Sequence, residues 1–150
     1  MLHFDKPMIA AIHGFALGAG CEMTMYCDLR LACDDARLGL PETTLGYLPT
    51  AGGSQTLPRF IGQGRALDMI LSAEPISAAQ ALECGLVQWV GPRSELDATA
   101  EAWARRLLAL DPKVLRLARV ALRRGIELPL AQGLELEARL RQVLIASETT

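Results

Sequence analysis

Three glycines, Gly14, Gly18 and Gly20, fall within seven residues and separate two apolar runs. That arrangement constrains the fold more than any other stretch of the chain. Met8-Ile9-Ala10-Ala11-Ile12, following Lys6-Pro7, is too short for a helix and reads as a buried strand. Residues 21–26 read as a short buried helix, so the glycines form the turn between the two. Residues 29–32 are a second strand candidate and Arg37-Leu38-Gly39 a third. Two strands flanking a helix predict a β-α-β crossover, and hence an α/β fold with a partly parallel sheet.

The texture changes near Gly62. Thr50-Ala51-Gly52-Gly53-Ser54 opens a helix for which Pro58 is the candidate break. The pattern then predicts helices over 64–71 and 78–84, the second with Ser77 as N-cap and Gly85 as the stop. Residues 87–90 read as a short strand bounded by Gly91-Pro92. Helices follow over 95–110, 112–124 and 130–146, with Asp111 capping the second ahead of Pro112. Ala and Leu supply 48 residues against 12 from Val and Ile, a balance that favours helix over sheet. The expected organisation is a Gly-rich α/β part, 1–60, and a helical part, 61–150.

Charge and cysteine usage remove several functional classes. A formal net charge of −2 argues against a nucleic-acid partner, which calls for a basic excess. No apolar run reaches membrane-spanning length, so no membrane partner is expected. Residues 1–7 carry no basic stretch followed by an apolar one, so no secretory leader is expected. Cys21, Cys27, Cys33 and Cys84 form no C-x-x-C pair and have no histidine at ligand spacing. The expectation is no metal site, and reduced thiols in a cytoplasmic protein. Hydrophobic residues make up 51% before glycine is counted, more than one small globule usually needs, which points to subunit contacts or a further covering segment.

Individual motifs carry less. A dinucleotide-binding turn needs a third glycine, but Met23 stands at the position that Gly18 and Gly20 would require. The glycine turn alone fits either backbone approach to an anionic group or a tight strand-to-helix turn without a ligand. Glu22 lies in the first turn of an apolar helix. There it is either a partner for the helix dipole or a buried carboxylate with a task. Glu42, after Pro41, reads by itself as a surface acid at a helix start. Ser54 fails the nucleophile-elbow pattern because Thr56 stands where glycine is needed, and neither His3 nor His13 has a triad context. Arg116, Arg119 and Arg123 recur at helical spacing, which fits a solvated helix face better than an anion site.

The combination is more specific than its parts. The run Lys6-Pro7-Met8-Ile9-Ala10-Ala11-Ile12-His13-Gly14-Phe15-Ala16-Leu17-Gly18-Ala19-Gly20-Cys21-Glu22 resembles the crotonase (enoyl-CoA hydratase/isomerase) superfamily. So do Cys27-Asp28, Pro41-Glu42, Ala51-Gly52-Gly53-Ser54-Gln55, Ile76-Ser77-Ala78 and Ala81-Leu82-Glu83-Cys84-Gly85-Leu86-Val87, in order along nearly the whole chain. The resemblance implies a crotonase-like spiral of ββα turns, with catalytic glutamates in 1–60 and a helical trimerisation region in 61–150. It implies an acyl-CoA thioester substrate, a homotrimer or hexamer, and no cofactor beyond the coenzyme A of the substrate. The backbone N–H of Ala19 would be one of two oxyanion donors. Gly18, Gly20, Thr50 and Gly53 would line the substrate and its water.

Hydratases of this family use two glutamates around one water, and Glu22 and Glu42 fill both positions. The resemblance therefore implies hydration of trans-2-enoyl-CoA to 3-hydroxyacyl-CoA. Glu42 would exchange a proton at the α-carbon, and Glu22 would deprotonate the water. Isomerisation or hydrolysis of an acyl-CoA, or a structural fragment without activity, are the alternatives. Two departures stand out: Thr50 follows Pro49 where relatives often have glycine, and His13 replaces a common asparagine. Relatives also carry a longer N-terminal region, with the other oxyanion donor and much of the CoA site, and a further final helix. By that comparison the chain is a partial one.

Overall fold

A computed structural model of the chain describes residues 4–148; His3 and the rest of residues 1–3 lie outside the described residues. The chain folds into two compact units. One is Met8–Trp103; the other comprises residues 104–148 with residues 4–7.

The first unit opens with β1 (Ile9–Ile12), β2 (Phe15–Leu17) and helix α1 (Ala19–Met25). The pattern then repeats with β3 (Leu29–Cys33), β4 (Arg37–Gly39), a 3-10 helix (Pro41–Leu45) and helix α2 (Gly53–Ile61). β3 pairs parallel with β1, Ile9 opposite Leu29, and β4 pairs parallel with β2, Phe15 opposite Arg37. Each ββα turn therefore lays its two strands beside the equivalent strands of the turn before. This is a spiral with two small sheets, as the crotonase-like α/β class predicts. Helix α3 (Gln63–Ser72), β5 (Ile76–Ser77), helix α4 (Ala78–Glu83), β6 (Trp89–Gly91) and helix α5 (Arg93–Leu108) follow. β6 extends the first sheet to the order β1-β3-β6, and β5 adds antiparallel to the second, β2-β4-β5.

Strand β3 is covered on both faces, as the middle strand of a parallel sheet must be. Its side chains alternate: Ala32 joins Ile12, Met25, Leu38, Leu57 and Leu86 in the main core. Leu31 and Cys33 pack with Leu96, Ile9 and Trp103 on the other side. Arg30, only 2% exposed, donates from Nε to Leu86 O at 2.6 Å and from Nη1 to Cys27 O at 2.8 Å. Its guanidinium lies 4.4 Å over the Phe60 ring.

Several boundaries differ from the sequence expectation. Phe15–Leu17, read as turn, is strand β2; three residues give no periodic signal, and what makes them a strand is pairing with β4, far along the chain. Helix α1 begins at Ala19 rather than Cys21, because Gly18 at φ 53° already completes the turn. Pro58 sits inside α2 without ending it. The carbonyl that loses its partner belongs to Ser54, which is exposed and open to water. The strand expected over 87–90 is Trp89–Gly91, and Val87 is instead a buried core residue of the preceding turn. The helix ends behave more regularly. Ser77 caps α4 in a reciprocal capping box with Gln80, Gly85 follows at φ 78°, and Asp111 accepts from the amides of Lys113 and Val114 at 2.7 and 3.1 Å.

In the second unit, α6 (Pro112–Gly125) and α7 (Leu130–Glu148) pack on one another. Lys113 Nζ donates to Val143 O at 3.2 Å and Arg119 Nη1 to Phe4 O at 2.8 Å. Large apolar side chains stay exposed on both helices and at the end of α6, among them Leu122, Ile126, Leu130 and Leu134.

Candidate active site

The site forms where the first helix of the spiral begins. Gly18 precedes α1 with φ 53° and ψ −127°, a conformation that side-chain-bearing residues rarely adopt. Its own N–H is occupied by Gly39 O at 2.9 Å, so Gly18 contributes shape rather than a donor. The Glu22 N–H donates to Gly18 O at 2.9 Å. The amides of Ala19, Gly20 and Cys21 come before that bond and have no helical carbonyl to reach. Ala19 and Gly20 are exposed, so the positive end of the helix is open at those two residues.

Glu22 lies in the same turn, and its residue is 2% exposed. A buried carboxylate needs donors, and two backbone amides supply them: Ala51 N at 2.9 Å and Gly53 N at 2.7 Å, both to Oε1. These amides precede or open helix α2, whose N-cap Gly52 adopts φ 102°. A side chain at Gly53 would place Cβ 2.8 Å from Glu22 Oε1 and 2.8 Å from Leu40 Cδ1, so the close approach requires glycine.

Glu42 reaches the same turn from the 3-10 helix. A Cβ at Gly18 would lie 3.1 Å from Glu42 Oε1, and Glu42 Oε2 is buried with no hydrogen-bond partner among the described residues. Native structures leave few such atoms, and each calls for an explanation. Both carboxylates lie near enough to Cys21 for their charges to act on its thiol. Burial pushes that thiol up to about 12; the backbone of Gly39 opposes the shift, and the charges of Glu42 and Glu22 add to it.

The structure therefore gathers Gly18, Ala19, Gly20, Glu22, Glu42 and Gly53 around the start of α1. Thr50 is exposed and sits one residue before the amide that holds Glu22. The sequence reading did not single out Ala51 or Tyr26. Tyr26 Oη donates to Ala51 O at 2.7 Å. The available signal was the need of a buried glutamate for donors, which the glycine-rich helix start Ala51-Gly52-Gly53 can supply. Among the described residues, no group of three or more His, Cys, Asp or Glu is arranged to hold a metal ion, and no helix is long and apolar enough to cross a membrane.

A family model described as enoyl-CoA hydratase/isomerase matches residues 1–150. The 2,3-dehydroadipyl-CoA hydratase of Escherichia coli strain K12 is 45% identical over 145 residues, 97% of this chain and 57% of that protein. The short-chain-enoyl-CoA hydratase of Clostridium acetobutylicum is 42% identical over 134 residues, 89% of this chain and 51% of that protein. Among solved structures, an enoyl-CoA hydratase from Bacillus anthracis superposes with a TM-score of 0.94 at 43% identity, covering 96% of this chain and 56% of that one. The chain thus spans about half the length of the curated relatives it matches.

Proposed function

The chain belongs to the enoyl-CoA hydratase/isomerase family, and from that premise we propose that the protein adds water across the double bond of a trans-2-enoyl-CoA, reversibly, to give the 3-hydroxyacyl-CoA. The observation that carries this reading is the pair of carboxylates at one helix start. Glu22 is held through Oε1 by two amides, and Glu42 presents a buried oxygen with no partner among the described residues.

In the proposed reaction the thioester oxygen accepts a hydrogen bond from the Ala19 N–H, at the positive end of α1, where enolate charge develops. Glu22, fixed by its amides, orients a water and takes a proton from it as the water oxygen bonds to the β-carbon. Glu42 delivers a proton to the α-carbon, and a carboxyl oxygen without another partner suits that exchange. One proton enters and one leaves the protein, so the pair is restored by a single proton transfer between the glutamates or through solvent. Gly18 and Gly20 shape the turn, and Thr50 and Gly53 border the water. Coenzyme A enters as part of the substrate, and no separate cofactor is required. Exposed Leu122, Ile126, Leu130 and Leu134 support assembly as a homotrimer or hexamer. A cytoplasmic setting completes the reading.

Glu22→Gln and Glu42→Gln, each made in a chain of the relatives' full length, should separately lower hydration of crotonyl-CoA by roughly 10²–10⁴. Near-normal turnover in both variants refutes the assignment. Product analysis separates the rivals: a displaced double bond means isomerisation, free coenzyme A means hydrolysis, and measurable hydration by the 150-residue chain alone refutes a purely structural role.

A further inference from the structure

Three consecutive peptide groups run into helix α2. The first carries the Ala51 N–H, the second the Ala51 carbonyl, and the third the Gly53 N–H. The outer two donate to a single oxygen, Glu22 Oε1, at 2.9 and 2.7 Å. The middle one accepts from Tyr26 Oη at 2.7 Å. Glu22 and Tyr26 are four residues apart on α1 and its C-cap, so they project from one face toward the same loop. Met25, three residues after Glu22, meets the first turn of α2, where Thr56 Oγ1 donates to its sulfur at 3.4 Å.

The rest of the loop is tied to α2 itself. The Gly52 carbonyl accepts from Gln55 N at 3.0 Å, Thr56 N at 2.8 Å and Thr56 Oγ1 at 2.9 Å. The Ala51 carbonyl is bonded instead to a side chain at the end of α1. The Ala51–Gly52 peptide links the two donating peptides through the Cα atoms of Ala51 and Gly52. Anchoring its carbonyl to Tyr26 therefore restricts where both Cα atoms, and the donors beside them, can sit. Close packing reinforces the register, since a Cβ at Gly52 would collide with Tyr26 Oη.

We infer that Tyr26 is a positioning residue for Glu22: its hydroxyl fixes the Ala51–Gly52 peptide so that the amides on either side converge on the carboxylate. The kinetic consequence rests on the hydratase reading above; the structural consequence does not. Tyr26→Phe removes the hydroxyl and keeps the ring, so it isolates the hydrogen bond from the packing.

Two measurements on the full chain test this. Amide hydrogen exchange at Ala51 and Gly53 should quicken by roughly tenfold in Tyr26→Phe, the scale of one lost hydrogen bond. With crotonyl-CoA as probe, kcat should fall roughly three- to tenfold while KM stays unchanged, because no substrate contact is removed. Tyr26→Leu, a second way to delete the hydroxyl, should reproduce the exchange change. Unaltered exchange at both amides overturns the inference, and so does a rise in KM at constant kcat, which would make Tyr26 a substrate contact. If the unmodified chain hydrates nothing, the kinetic comparison falls away and the exchange result alone decides the role of Tyr26.

Discussion

Replacing Gly53 by alanine adds one methyl group at the most crowded point of the site. The new Cβ would stand 2.8 Å from Glu22 Oε1 and 2.8 Å from Leu40 Cδ1, inside any real contact distance. Leu40 and Glu22 are both buried, and a Cβ at Gly53 would also stand 3.0 Å from Glu22 Cγ, so the glutamate side chain is pressed at two atoms and must shift. Moving it stretches the bonds from Gly53 N at 2.7 Å and Ala51 N at 2.9 Å. Each charge-assisted bond of this kind is worth about 1.5–3 kcal/mol, so partial loss of both predicts a destabilisation of about 3 kcal/mol. If Glu22 is the base, a displacement of about 1 Å should also cost on the order of 10² in kcat. Gly64→Ala is the matched control. It lies in the first turn of α3, and a Cβ there meets nothing within 4 Å, so alanine should stabilise by about 0.5–1 kcal/mol. Urea denaturation of the two variants, with crotonyl-CoA hydration measured beside it, reads both effects. A Gly53→Ala chain that unfolds and turns over like the parent refutes the account of how Glu22 is held.

Ser77→Ala removes the Oγ that accepts from the Gln80 N–H, one half of the capping box at the start of α4, and should cost about 0.5–2 kcal/mol in urea denaturation; an unchanged midpoint would mean the cap contributes nothing. Cys21, with its thiol raised from 9.0 to about 12, should resist alkylation at pH 8.5 in the folded chain, and rapid labelling there would contradict its burial. The same shift sets a stability trend. Between pH 9.0 and about 12 the folded state holds a proton that the unfolded state releases, so stability falls as pH rises through that window. Cys21→Ala should flatten the fall, and parallel slopes for the two proteins would count against it.

How much of this was legible in the sequence follows from where each interaction lies along the chain. β1 and α1 could be read because short apolar runs follow proline or glycine punctuation, and β3 because its run stands between Asp28 and Asp34; their crossover pairing follows from connectivity. Ser77 and Asp111 could be read as caps because capping bonds span two or three residues. β2 was hidden because Phe15-Ala16-Leu17 becomes a strand only beside residues 37–39. The family resemblance named Glu22 and Glu42, whereas residue patterns alone left each with an ordinary alternative. Ala51 and Tyr26 escaped notice for a different reason. Their role lies in a backbone N–H and a hydroxyl directed at a loop 25 residues away, and no local pattern encodes that.

The spiral explains why the site needs so few side chains. Each ββα turn ends in a helix introduced by a glycine at positive φ, Gly18 before α1 and Gly52 before α2. Pairing of equivalent strands stacks the two turns in register, so the two helix starts come side by side. A helix start carries partial positive charge and amides without helical partners. The second start is occupied from within, its amides holding Glu22. The first is left open at Ala19 and Gly20. In the proposed reaction one helix end thus fixes the base and the other receives the substrate oxygen. Committing the second helix to a protein carboxylate is useful only if that carboxylate must be held still, as a water-activating base must. A change that frees Glu22 from α2 should therefore lower kcat while the open amides of α1 still bind the thioester.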